Sequence, residues 1–182
     1  MNVYAFDRDS TVDVNPPDDG SRAFPLEWLR HLAHETEHVV WATGNQKLTE
    51  EADIPGDEEA AQLYIDRWGH PRDHIEDRPV SNLEVEVIDD SEAPDPDLTT
   101  ALLDYLEDDV RLDRHQRVRL VAALHPDADR YIAVDNRYLG FIDGVEHYQG
   151  YELVEEVEQH IELGEVAPDA SEVRGSRNSD GD

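Results

Sequence analysis

Short apolar runs and longer stretches of helical period take turns along this chain. Asn2–Phe6, Val39–Ala42 and Arg130–Val134 are each brief, mostly apolar and bounded by polar groups, the pattern of strands covered on both faces. Between the first two, over residues 24–35, Leu26, Leu29, Leu32 and Ala33 recur at helical spacing behind Pro25, a residue suited to a first turn. Asp57–Trp68 carries Ala60, Ala61, Leu63, Tyr64 and Ile65 and predicts a second helix. Residues 83–88 alternate apolar and acidic side chains, as a half-exposed strand would, and 91–97 (SEAPDPD) reads as a turn-rich connection. Helices are predicted over 98–106, 116–124 and 151–163, and a loop or small hairpin over 11–22, where Pro16, Pro17 and Gly20 fall.

Strands alternating with helices predict an α/β fold: a three-layer, Rossmann-like arrangement with a mostly parallel sheet and helices on both faces. One domain is expected over residues 1–164, followed by an acidic, disordered tail over 165–182, where large apolar groups run out. In such sheets ligands bind beyond the carboxyl ends of the strands. Three predicted strands end there in polar groups: Asp7 and Asp9 after the first, Thr43 after the second, and Asp135 after Arg130–Val134. If those strands are neighbours, acids without cationic partners converge, and a hard divalent cation relieves their repulsion.

Composition narrows the function classes. With 45 acidic and 15 basic residues in 182, the formal net charge is -30, and Lys47 is the single lysine. Scarce lysine and dispersed acid fit a halophilic protein working in molar salt, where the Debye length is about 3 Å. Acid is then common everywhere, and Asp-x-Asp recurs at Asp95 and Asp97, so position must distinguish Asp7 and Asp9 from chance. No cluster of basic residues offers a footprint for nucleic acid or an anionic membrane. The absence of cysteine removes disulfides, thiolate metal sites and cysteine nucleophiles. No apolar run approaches the roughly 20 residues needed to cross a bilayer, and no signal-like segment opens the chain, so a cytoplasmic protein is expected.

Asp7-Arg8-Asp9-Ser10-Thr11 after one strand, Thr43-Gly44-Asn45 after the next and Asp135-Asn136 after a late one resemble, in that order, the motifs of the haloacid dehalogenase (HAD) superfamily of phosphohydrolases. Ser10 stands where glycine is more usual, and no lysine fills the third motif; Arg117, ahead of Arg114, is the basic group expected in its place. The resemblance implies an Mg²⁺-dependent phosphohydrolase. Asp7 would be the nucleophile that carries an aspartyl-phosphate and Asp9 the general acid and base. Thr43 and Arg117 would hold and neutralise the phosphoryl group, with Thr11, Gly44 and Asn45 beside the substrate. Asp7, the main-chain carbonyl of Asp9, and Asp135 would bind the metal, and Asn136 a metal-bound water. Few residues separate the first motif from its helix, which implies a small cap or none, although residues 46–115 have room for a modest one. A receiver domain also gathers strand-end acids around Mg²⁺, but its motif order differs. From another class, a non-catalytic HAD-like binding or assembly protein would use the same fold. The substrate, beyond carrying a phosphate, and the oligomeric state are left open by the residues.

Overall fold

The computed structural model describes residues 1–75 and 95–159. The strand expected over 83–88, most of the connection over 91–97, the end of the helix expected over 151–163 and the tail over 165–182 lie outside the described residues.

Four strands, β1 (Asn2–Phe6), β2 (Val39–Ala42), β3 (Arg130–Val134) and β4 (Val145–Tyr148), form one sheet in the order β2-β1-β3-β4. Every pairing in it is parallel. The chain is therefore α/β, and β1 lies at the centre between the two strands whose ends carry Thr43 and Asp135. Successive strand residues point to opposite faces, and β1 divides its side chains accordingly. Tyr4 and Phe6 join one core with α1 (Leu26–His34), through Leu29 and Leu32, and with α7 (Gly150–Gln159), through Leu153, Val154 and Val157. Val3 joins the other core with α3 (Asp57–Trp68), α5 (Pro96–Asp108) and α6 (Arg114–Leu124), through Ala61, Tyr64, Leu102 and Leu120. Ala5 and Ala133 pack under Val118 and Leu139 on that same face. Helices thus cover both faces, the burial that an all-parallel sheet requires.

Two short helices, α2 (Leu48–Ala52) and α4 (Pro71–Ile75), were not anticipated, and neither was β4. All three are too short or too mixed to show a period: β4 reads VEHY at the sheet's edge, with Glu146 exposed and the other three half-buried. Helix α5 begins earlier than its apolar pattern because Asp95 accepts the Asp97 amide (2.8 Å) ahead of Pro96 in the first turn. Helix α6 begins at Arg114, because Gln116 reaches back to the Asp113 amide (2.9 Å), half of a capping box. That start puts Arg114 in the first turn of α6. Among the described residues, no helix is long and apolar enough to cross a membrane.

Candidate functional site

Equal register aligns three polar residues in one row. Phe6 lies level with Ala42 on one side and Val134 on the other, so the next residues, Thr43, Asp7 and Asp135, leave the sheet side by side. The ladder continues one step to hold them there. Thr43 donates its amide to the Phe6 carbonyl (3.0 Å), Asp7 to Val134 (2.9 Å) and Asp135 to Tyr148 (3.0 Å). All three side chains are buried, Asp7, Thr43 and Asp135 each 1% exposed.

One cation bridges the two acids. Arg114 Nη1 lies 3.2 Å from Asp7 Oδ2 and 2.8 Å from Asp135 Oδ1. The orientation of the Asn136 amide that satisfies both of its ends directs Nδ2 at the same two oxygens, 3.0 Å from Asp7 Oδ2 and 3.2 Å from Asp135 Oδ1. On the far side of each carboxylate an oxygen remains without a hydrogen bond: Asp7 Oδ1 and Asp135 Oδ2, and beside them the Thr43 hydroxyl, are buried and unpaired. Buried polar atoms normally find partners, so three orphans at the ends of three neighbouring strands mark a place built for something else. Burial and, secondarily, the charge of Asp135 push the Asp7 carboxyl up to about 6, against the pull of Arg114 and of the Arg8 and Asn45 amides. Burial likewise raises Asp135, opposed by the Arg137 amide, Arg114 and His147.

Asp9 is treated in the opposite way. Its Oδ1 accepts from Asn15 Nδ2 (2.9 Å) and Arg8 Nη1 (2.7 Å), and its Oδ2 from Asn45 Nδ2 (2.9 Å). Those hydrogen bonds, from Asn15 and Asn45 first, hold its carboxyl down to about 2. Arg8 is fixed in turn by Glu51, whose carboxylate accepts from Nε and Nη2 at 2.8 to 3.0 Å. The loop that makes this possible turns at Ser10, whose φ of 59° is left-handed and explains why glycine suits the position. Thr11 is fully buried in that loop, its hydroxyl 3.5 Å from the Asp9 carbonyl. Gly44 has no room for a side chain, since a Cβ there would lie 1.8 Å from Asp7 Oδ1. Asn45 ties the second strand's loop to Asp9 and accepts the Lys47 amide through Oδ1 (3.0 Å).

The structure thus brings Asp7, Asp135, Thr43, Gly44 and Asn136 together and keeps the Asp9 carboxylate engaged nearby. It does not bring Arg117 to the acids. Arg117 is 8% exposed behind the row, where Nη1 donates to the carbonyls of Thr43 (3.1 Å) and Gly44 (2.7 Å). Its Nε lies 3.2 Å from the buried Asp57 carboxylate without an N–H directed at it. The guanidinium at the acids belongs to Arg114, one helical turn earlier. The sequence signal that bears on it is the Asp113-x-x-Gln116 spacing, which sets the helix start and so puts Arg114 in the first turn. Among the described residues, no three His, Asp or Glu side chains form a metal-holding group. Two carboxylates with a main-chain carbonyl and waters suffice for Mg²⁺, which keeps much of its hydration shell. The orphaned oxygens of Asp7 and Asp135 fit that donor set.

No protein-family model matches the chain, and neither does any curated protein or solved structure.

Proposed function

We propose that this protein is an Mg²⁺-dependent phosphohydrolase of the HAD type that works through an aspartyl-phosphate on Asp7. The observation that carries the reading is the pair of buried acids at adjacent strand ends, joined by Arg114, each with one oxygen left unpaired. Asp7, Asp135 and the Asp9 carbonyl would hold the metal, which when bound neutralises phosphoryl charge and the repulsion between the carboxylates. A carboxylate oxygen of Asp7 attacks phosphorus, the ester P–O bond breaks, and the leaving oxygen takes a proton from Asp9. Water then attacks the phosphorus of the acyl phosphate and gives its proton to Asp9, which frees Asp7 and releases orthophosphate. Arg114 takes the part expected of Arg117, steadying charge as it passes between Asp7 and the phosphoryl oxygens. The unpaired Thr43 hydroxyl is free to donate to one of those oxygens.

A second reading, a non-catalytic HAD-like binding or assembly protein, is favoured by one observation: Asp9 is held ionised by three donors. As an acid it must leave Asn15 and Asn45 and take up a proton. The two readings part on activity. In molar KCl with Mg²⁺, the protein is expected to hydrolyse p-nitrophenyl phosphate, and EDTA or Asp7→Asn to abolish the reaction. Inertness of the wild type on a broad panel of phosphate monoesters under those conditions would replace the enzyme with the binding protein.

A further inference from the structure

A groove of about 330 Å³ opens beside the acids, lined by Ser10, Ser21, Arg22, Asn136, Gln149 and Tyr151, with Pro17, Asp18 and Asp19 also on its wall. It adjoins the site, since Ser10 follows Asp9 and the Asn136 amide touches both Asp7 and Asp135. The groove is a built feature. Helix α7 begins at Gly150, where a Cβ would lie 2.4 Å from the Thr11 carbonyl, so the helix start and the Asp9 loop are packed backbone to backbone to form it. The alcohol part of a phosphoester bound at Asp7, before its P–O bond breaks, has this space beside it, and the volume lies near the lower end of small-molecule sites, about 300 to 1,000 Å³.

The walls favour hydroxyls and disfavour a second anion. Two hydroxyls, from Ser10 and Ser21, and two carboxamides, from Asn136 and Gln149, offer both donors and acceptors. Tyr151 adds an aromatic face with a polar tip, suited to the C–H side of a sugar ring. Arg22 is the one basic residue on the wall, and it is committed to Glu158 through Nη1 (3.0 Å) and Nη2 (2.6 Å). The first turn of α7 carries a carboxylate of its own, Glu152, which accepts the Gln149 amide (2.9 Å). Asp18 and Asp19, both exposed, add negative charge to the wall.

We infer that this groove holds the leaving group of the substrate and selects monophosphates of small polyhydroxylated alcohols over phosphoesters that carry a second anionic group. The inference rests on the phosphohydrolase reading and adds its substrate class. A rival seat for an aryl group exists, since the exposed Tyr138 and Phe141 stand on the loop after Asp135. The test therefore compares glucose 6-phosphate, glucose 1,6-bisphosphate and p-nitrophenyl phosphate, with Mg²⁺ in molar KCl. The value of kcat/KM for glucose 6-phosphate should exceed that for the bisphosphate by about tenfold, the ratio that one tenfold step of binding free energy supplies. Replacing both acids, Asp18→Asn with Asp19→Asn, should narrow that gap. Tyr151→Ala should lower the ratio of glucose 6-phosphate to aryl phosphate turnover by about tenfold, and Ser21→Ala should lower it too, reading the groove through a second residue. Equal or better turnover of the bisphosphate, a dominant preference for the aryl ester, or ratios that ignore both variants would overturn the groove's role while leaving the phosphohydrolase standing. Inertness toward all three esters would remove both.

Discussion

At the scale of the residue, Asp7 and Asp9 are two carboxylates one residue apart that the surroundings drive in opposite directions. Asp7 is raised to about 6 by burial and Asp135, whereas Asp9 is held down to about 2 by amide and guanidinium donors. A raised carboxyl binds more protons folded than unfolded, so its contribution is fully favourable below the ordinary value of 3.8 and lost as pH rises toward about 6. Without metal, Asp7 therefore opposes folding at neutral pH. Asp7→Asn keeps the volume and removes the charge. In EDTA and molar KCl the variant should be more stable than wild type at pH 7, by about 1 to 3 kcal/mol for a shift of this size. Its stability should also fall less between pH 4 and pH 7. Denaturant titrations across that range measure both, and a variant less stable at pH 7 with an unchanged pH slope would show that the Asp7 carboxylate is comfortable where it lies.

At the scale of the element, helix α6 meets the sheet through two arginines with different work. Arg117 ties α6 to the loop after β2, through the carbonyls of Thr43 and Gly44, and lies beside the acid at the start of α3. Arg114, in the first turn, meets the carboxylates after β1 and β3. Removing Arg117 strands the buried Asp57 and two carbonyls, a change of the kind that costs about 3 to 5 kcal/mol, and no metal at Asp7 repairs it. Removing Arg114 leaves Asp7 and Asp135 facing each other, a loss that a divalent cation between them offsets. Thermal unfolding with and without Mg²⁺ should thus show Arg114→Ala substantially rescued by the metal and Arg117→Ala not rescued. Equal rescue would mean that the two arginines serve one purpose.

At the scale of the whole molecule, a net charge of -30 on 182 residues sets the conditions under which the fold holds. Several acids are neutralised locally, as in the pairs Arg22–Glu158 and Arg130–Glu146, but most have no basic partner to find, since acids outnumber bases 45 to 15. Self-repulsion favours the expanded chain, and it is screened within about 3 Å at 1 M salt but reaches about 10 Å at 0.1 M. The melting temperature should rise steadily as KCl goes from tens of millimolar to molar. A melting temperature that is flat or falling with salt would show that the acidic surface has no part in salt tolerance.

The chain's own pattern determined the layered α/β fold, because strand and helix periods are local and the strand runs of β1, β2 and β3 differ plainly from their flanks. It also placed Asp7, Thr43 and Asp135 at strand ends, since an apolar run that stops at a polar residue names its own terminus. What tertiary structure decided is everything that depends on strand register and on how helices and loops dock against the sheet. That Thr43, Asp7 and Asp135 stand in one row follows from three strands pairing level, a relation between residues more than thirty positions apart in sequence. That Arg114 and not Arg117 reaches the acids follows from where α6 docks: its first turn lies against the ends of β1 and β3, while Arg117, on the same helix face, meets the loop after β2. The hold on Asp9 by Asn15 and Asn45 needed two loops to meet, and no periodicity records such a meeting, because side-chain hydrogen bonds between loops depend on distance in space and not on spacing in the chain.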